Sequence, residues 1–145
     1  MNKRLSQFEP GEKTTTKTKI ITLTDVETFA NMTRNALPLF LDEKCAQSLG
    51  WRTRLVPGPL TFSCAIGLME DAGLLDDVMA FMASDKIRFT APVYPYDSLT
   101  IQVELISKKL TKDRTRGLVN YRWVGKNQED KTIIEGENTC MFKVR

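Results

Sequence analysis

Leu99, Ile101, Val103 and Leu105 alternate with Thr100, Gln102 and Glu104, the period of two that marks a strand with one buried face. Four further segments of the second half read as strands: Val78 to Met82, Lys86 to Ala91, Gly117 to Val124 and Ile133 to Val144. Turn-forming clusters separate them at Tyr94-Pro95-Tyr96-Asp97, Lys112-Asp113-Arg114 and Asn127-Gln128-Glu129-Asp130. The first half reads differently. Residues 1–13 form a polar lead-in, and Thr14 to Leu23, rich in Thr and Ile, suits an opening strand. Thr24 with Glu27 three residues on has the form of a capping box, predicting a short helix that presents Val26, Phe29 and Ala30. Pro38 disfavours helical geometry in the residue before it, so Asn35 to Leu41 is expected as a loop. Asp42 is placed to cap a second short helix that stops at Gly50.

A third helix is expected over Leu60 to Ala72, entered through the rigid Pro57-Gly58-Pro59 and closed by Gly73. It is apolar almost all round, and it carries the small residues Ser63, Ala65 and Gly67. A helix of that character is normally buried, and its small residues allow close approach. One buried helix with a run of antiparallel strands defines an α+β protein, a curved sheet wrapped around the helix. Neither an internal repeat nor a Pro/Gly-rich linker divides the chain, so residues 1–145 are expected as one domain of common size.

Composition changes this picture little. Hydrophobic residues at 41% and charged residues at 27% are ordinary for a globular domain. The net charge of +3 is small and its basic residues alternate with acidic ones, which argues against a nucleic-acid partner. The densest basic stretch, Lys108 to Arg116, reads as a hairpin end with solvated lysines. Cys45, Cys64 and Cys140 lack metal-ligand spacing, so no metal is expected, and their odd number suits reduced thiols in the cytoplasm. As a helix, the longest apolar run, Leu60 to Met69, would span ~15 Å against the ~30 Å of a bilayer core. A soluble protein with no membrane partner is expected.

Candidate chemistry lies between Phe29 and Leu60. The stretch F-A-N-M-T-R-N-A-L-P-L-F-L-D, Phe29 to Asp42, is followed by R-L-V-P-G-P-L-T-F-S, Arg54 to Ser63. Together they resemble the MaoC-like hydratase/dehydratase family, with its pattern F-A-x-x-[ST]-x-D-x-N-P-x-H-x-D and a later H-G-M-L. A third segment, F-T-A-P-V-Y-P-Y-D-S-L from Phe89, is similar to the family's F-x-x-P-V-x-x-G-D, with Tyr96 in place of glycine. The resemblance implies the hotdog fold, a dimer with a like or related subunit, and hydration or dehydration of enoyl thioesters on coenzyme A or acyl carrier protein. It implies no separate cofactor.

Laid on that pattern, Asn35 occupies the position of the catalytic Asp, Phe40 that of the catalytic His, and Pro57 that of the His before glycine. None of the 145 residues is histidine. An amide can hold a water but cannot take its proton, and a phenyl ring does neither. Asp42 is a substitute carboxylate by position, although capping accounts for it. Cys64 has no histidine partner in the chain, and packing accounts for it. Pro57, Gly58, Leu60 and Thr61 are the implied substrate-binding positions, with a backbone N–H near the helix start polarising the thioester carbonyl. Arg52, Arg54, Lys86 and Arg88 are candidates for the phosphates of coenzyme A. Three readings remain open on sequence: a reassigned enzyme, a non-catalytic acyl-binding subunit of a heterodimeric dehydratase, and a hotdog acyl-CoA thioesterase.

Overall fold

The computed structural model of the chain describes residues 3–144. Five strands form one antiparallel sheet: β1 (Lys13–Ile20), β2 (Val78–Phe89), β3 (Ser98–Leu110), β4 (Arg116–Lys126) and β5 (Thr132–Lys143), in the order β1-β3-β4-β5-β2. Four helices precede β2: α1 (Leu23–Thr33), α2 (Pro38–Leu41), α3 (Glu43–Ser48) and α4 (Gly58–Asp71). The alternation along β3 and β4 turns Leu99, Ile101, Val103, Leu105, Val119, Tyr121 and Trp123 inward, where they pack with Leu60, Ala65, Leu68 and Met69 of α4. This is the hotdog arrangement expected from the sequence, a sheet curved around a long helix.

A line of polar groups crosses the inner face. Ser84 donates to Asn138 Oδ1 at 2.7 Å, and Asn138 Nδ2 donates to the Tyr121 hydroxyl at 3.3 Å. That hydroxyl lies 3.4 Å from Cys140 Sγ. Burial pushes both the Tyr121 hydroxyl and the Cys140 thiol up, so the line is neutral. With every member bonded it costs little and fixes β2, β5 and β4 in register.

Several boundaries differ from expectation for local reasons. The capping box of α1 is Thr22 with Asp25, not Thr24 with Glu27: Thr22 Oγ1 accepts from the Asp25 N–H at 3.1 Å and Asp25 accepts from the Thr22 N–H at 2.9 Å. The helix starts early because Ile21 is pinned in the core by backbone bonds to Tyr96 and Asp97, which ends β1 at Ile20. Asn35 to Leu41 is not all loop; Pro38 opens the single-turn α2, where its fixed φ suits a first helical position. The separate strands Val78 to Met82 and Lys86 to Ala91 are one, β2, whose pairing with β5 is irregular near Lys86, at φ +55°. The lead-in is anchored: Leu5 and Phe8 are buried, and the Leu5 N–H bonds Leu74 O at 2.9 Å. Asp42 does cap α3, accepting from the Lys44 N–H at 3.2 Å.

The helix α4 is covered on one side only. Leu60, Thr61, Ala65, Leu68 and Met69 are buried, while Pro59, Ser63, Gly67 and Glu70 are exposed. The helix expected to be buried is thus buried on one face within a single chain, because one sheet reaches that face while Ser63 and Gly67 line the other.

Candidate functional site

The start of α4 is the meeting point of the segments singled out by sequence. The Val56 N–H bonds Val93 O at 2.8 Å and the Leu55 N–H bonds Leu39 O at 3.2 Å, lashing residues 54–56 between α2 and the loop before β3. Arg54 tightens the junction: its Nε donates to Phe40 O at 2.9 Å, and its outer nitrogen pairs with Glu27 at 3.3 Å. Pro57 is the buried N-cap of α4 and Gly58 its first residue.

Backbone donors here are few. Leu60 and Thr61 both give their N–H to Pro57 O, at 3.1 and 3.2 Å, and Pro59 has none. Among the described residues the Gly58 N–H has no acceptor, which leaves it at the positive end of the helix dipole. Over Gly58 lies the Phe89 ring: a Cβ at residue 58 would stand 2.8 Å from Phe89 Cε1. The ring is 54% exposed and walls the helix start from the sheet side. Sequence reading missed this wall, although Phe89 opens a motif already noted. Its contact with Gly58 spans thirty-one positions and has no local sign.

The residues that the resemblance marks for catalysis and binding lie apart in character. Phe40 is buried in the core through α2. Asn35 is half-buried in the link after α1, its N–H donating to Thr33 Oγ1 at 3.2 Å. Asp42 is exposed and committed to its cap; it lines a cleft of about 300 Å³ with Leu23, Leu41, Glu43, Arg54 and Tyr96. Leu60 and Thr61 face the core, and the buried Thr61 Oγ1 has no hydrogen-bond partner. Burial pushes the Cys64 thiol up, away from thiolate chemistry at neutral pH.

The four cations expected near phosphates do not converge. Arg52 lies over the Tyr94 ring at 4.3 Å, Arg54 is engaged as described, and Lys86 pairs with Glu137 at 3.7 Å. Of the four, Arg52 and Arg88 have no acidic partner among the described residues. Tyr96, where the family pattern has glycine, keeps the left-handed backbone that glycine would adopt, at φ +74°. No helix of the described residues is long and apolar enough to cross a membrane, and they hold no cluster of three metal-ligating side chains.

Fold and site together define a hotdog domain with an unpaired backbone donor, the Gly58 N–H, at the start of its long helix. The chain belongs to the MaoC-like domain family, whose model matches residues 6–127. It is 27% identical to a mitochondrial 3-hydroxyacyl-[acyl-carrier-protein] dehydratase of Solanum lycopersicum, over 81% of this chain and 68% of the relative. It is 30% identical to a β-methylmalyl-CoA dehydratase of Chloroflexus aurantiacus, covering 88% of this chain but only 36% of that longer protein. An R-hydratase of Pseudomonas aeruginosa superposes with a TM-score of 0.81 at 25% identity, over 99% of this chain and 88% of the other.

Proposed function

We propose that this chain binds acyl thioesters at the start of α4 and, alone, hydrates enoyl thioesters poorly. The observation that carries the reading is the free Gly58 N–H at the head of a fourteen-residue helix, in a chain whose Asn35 and Phe40 supply neither acid nor base. A lone N–H aided by the helix dipole suits a thioester carbonyl, on which negative charge grows during addition. The exposed Ser63 and Gly67 leave room for an acyl tail along the uncovered face of α4. The named relatives act on carrier-protein and coenzyme A thioesters, so either carrier is consistent with the family.

The water-activating part is what the chain lacks. One acid–base group typically contributes ~10²–10⁴-fold in rate, and Asn35 and Phe40 contribute none. The chain then works as an acyl-binding subunit, homodimeric or beside a related subunit that carries an intact pair. An apolar edge at β2 favours assembly: Met79, Phe81 and Met82 are each about half exposed, whereas the opposite edge, β1, is guarded by Lys13, Lys17 and Lys19.

The test follows loss of the conjugated enoyl absorbance of short and medium enoyl-CoA substrates. Wild type is expected near background, and Asn35→Asp and Phe40→His singly recover little, because both groups act on one water. The double variant should gain about 10-fold or more, below a natural enzyme because its surroundings do not hold a charged pair. Thermal midpoints are read first, since burying that pair costs stability. Brisk hydration by wild type would reject the reading.

A further inference from the structure

At the end of the sheet away from the start of α4, the β3–β4 hairpin and the end of β5 bring together Lys108, Lys109, Lys112, Arg114, Arg116 and Lys143. Arg116 stands opposite Lys143 in the β4–β5 register, a like-charge pairing that destabilises a sheet. Among the described residues only Lys108 has a carboxylate partner, Glu9 at 3.5 Å. Asp113 is committed to the turn instead, accepting from the Thr115 N–H at 3.0 Å and from the hydroxyls of Thr111 and Thr115 at 2.7 and 2.8 Å. Those bonds, the Thr115 N–H first, hold its carboxyl down at about 2. Six cations against Asp113 and Glu9 outweigh the net charge of the whole chain, +3, so the remainder is slightly acidic. The densest basic stretch of the sequence is thus a hairpin end, as expected, and Lys143 of β5 adds to it.

Between these lysines lies an apolar hollow of about 370 Å³, walled by Leu110, Phe142 and Val144. Leu110 is 46% exposed. Phe142 packs over Gly117, so its ring is not presented for stacking on a nucleobase. Cations around an apolar hollow match an acidic protein surface with an apolar anchor better than a phosphodiester chain.

We propose that this end is the docking surface for an acidic carrier protein, which presents its thioester to α4 of the opposite subunit. The proposal rests on the thioester reading and names its carrier. Antiparallel pairing of two copies of β2 sets the Val78 end of one strand beside the Phe89 end of the other. The hairpin of one subunit then lies at the same end of the joined sheet as the start of α4 in its partner. Three or four strand spacings separate them, about 14–19 Å, a span suited to a flexible phosphopantetheine arm.

Holo acyl carrier protein of acidic composition, without an acyl group, is titrated into the full chain at low and at high salt. Binding should weaken as salt rises and should fall at least ~10-fold in Lys109→Glu/Lys112→Glu/Arg114→Glu. Lys13→Glu/Lys17→Glu/Lys19→Glu, with the same charge change on β1, should bind as wild type does. Both variants alter exposed or partly exposed side chains, and an unchanged thermal midpoint confirms folding. Carrier binding that survives reversal of the hairpin, or is absent from wild type, overturns the proposal. So does hairpin-dependent binding of an oligonucleotide in place of the carrier, or an equal loss of crotonyl-CoA binding in the hairpin variant. Salt-sensitive, hairpin-dependent docking without crotonyl-CoA binding by wild type upholds the docking surface and strikes only the thioester reading.

Discussion

Asn35 and Phe40, at the positions the resemblance gives to the catalytic pair, can supply neither an acid nor a base. Phe40 is a core residue, and its backbone O is held by Arg54, which fixes α2 in place. Tyr96, where the resemblance expects glycine, adopts a left-handed backbone at φ +74°. A non-glycine residue in the left-handed region costs roughly 1–2 kcal/mol, and part of any gain from glycine is lost to the freer unfolded chain. Tyr96→Gly should therefore stabilise the protein by about 0.5–1 kcal/mol, a rise of roughly 1–4 °C for a chain of this size. Thermal melts of the two proteins decide it, and a lower midpoint for the glycine variant would mean that the Tyr96 side chain supplies more than its strain removes. The motif comparison exposed this position from sequence, since it alone marked a glycine site filled by another residue.

At the scale of elements, α4 joins the fold to the site. Its inner residues hold the sheet while its first residue offers a backbone donor. Gly58→Val would drive a Cβ against the Phe89 ring, and that ring is exposed enough to swing aside. The cost to stability is expected near the low end of overpacking, about 1 kcal/mol. Displacing the ring and crowding the Gly58 N–H should also weaken acyl-CoA binding at least ~10-fold by calorimetry. Unchanged affinity with an altered thermal midpoint would separate Gly58 from ligand binding. The existence of α4 was legible as a long apolar run, as were β3 and the Asp42 cap of α3. The start of α1 was not, because Thr22 and Thr24 each precede an acid by three residues and only the pinning of Ile21 chooses between them.

For the whole molecule, the two sheet edges differ in kind. β1 carries lysines and exposed threonines, whereas β2 begins with the apolar run Val78 to Ala83. Native sheets protect a free edge with charge, so the apolar first half of β2, ahead of Asp85, Lys86 and Arg88, is the stretch expected to be covered. Sedimentation should find a dimer at micromolar concentration. Phe81→Lys should shift it toward monomer while leaving the monomer folded, because Phe81 is 46% exposed in a single chain. A monomeric wild type, or a dimer indifferent to Phe81→Lys, would place the interface elsewhere.

The sequence by itself determined the α+β class, the central helix, most strands, and the absence of any histidine. Class, helix and strands are written in spacing along the chain, as alternation or an apolar run. Tertiary structure decided the rest. It set Phe89 over Gly58, made β2 continuous through the positive φ of Lys86, and placed Lys143 beside Arg116 to complete the basic end. Those features arise from pairing between residues far apart in the chain, where register and curvature, not local pattern, choose the neighbours.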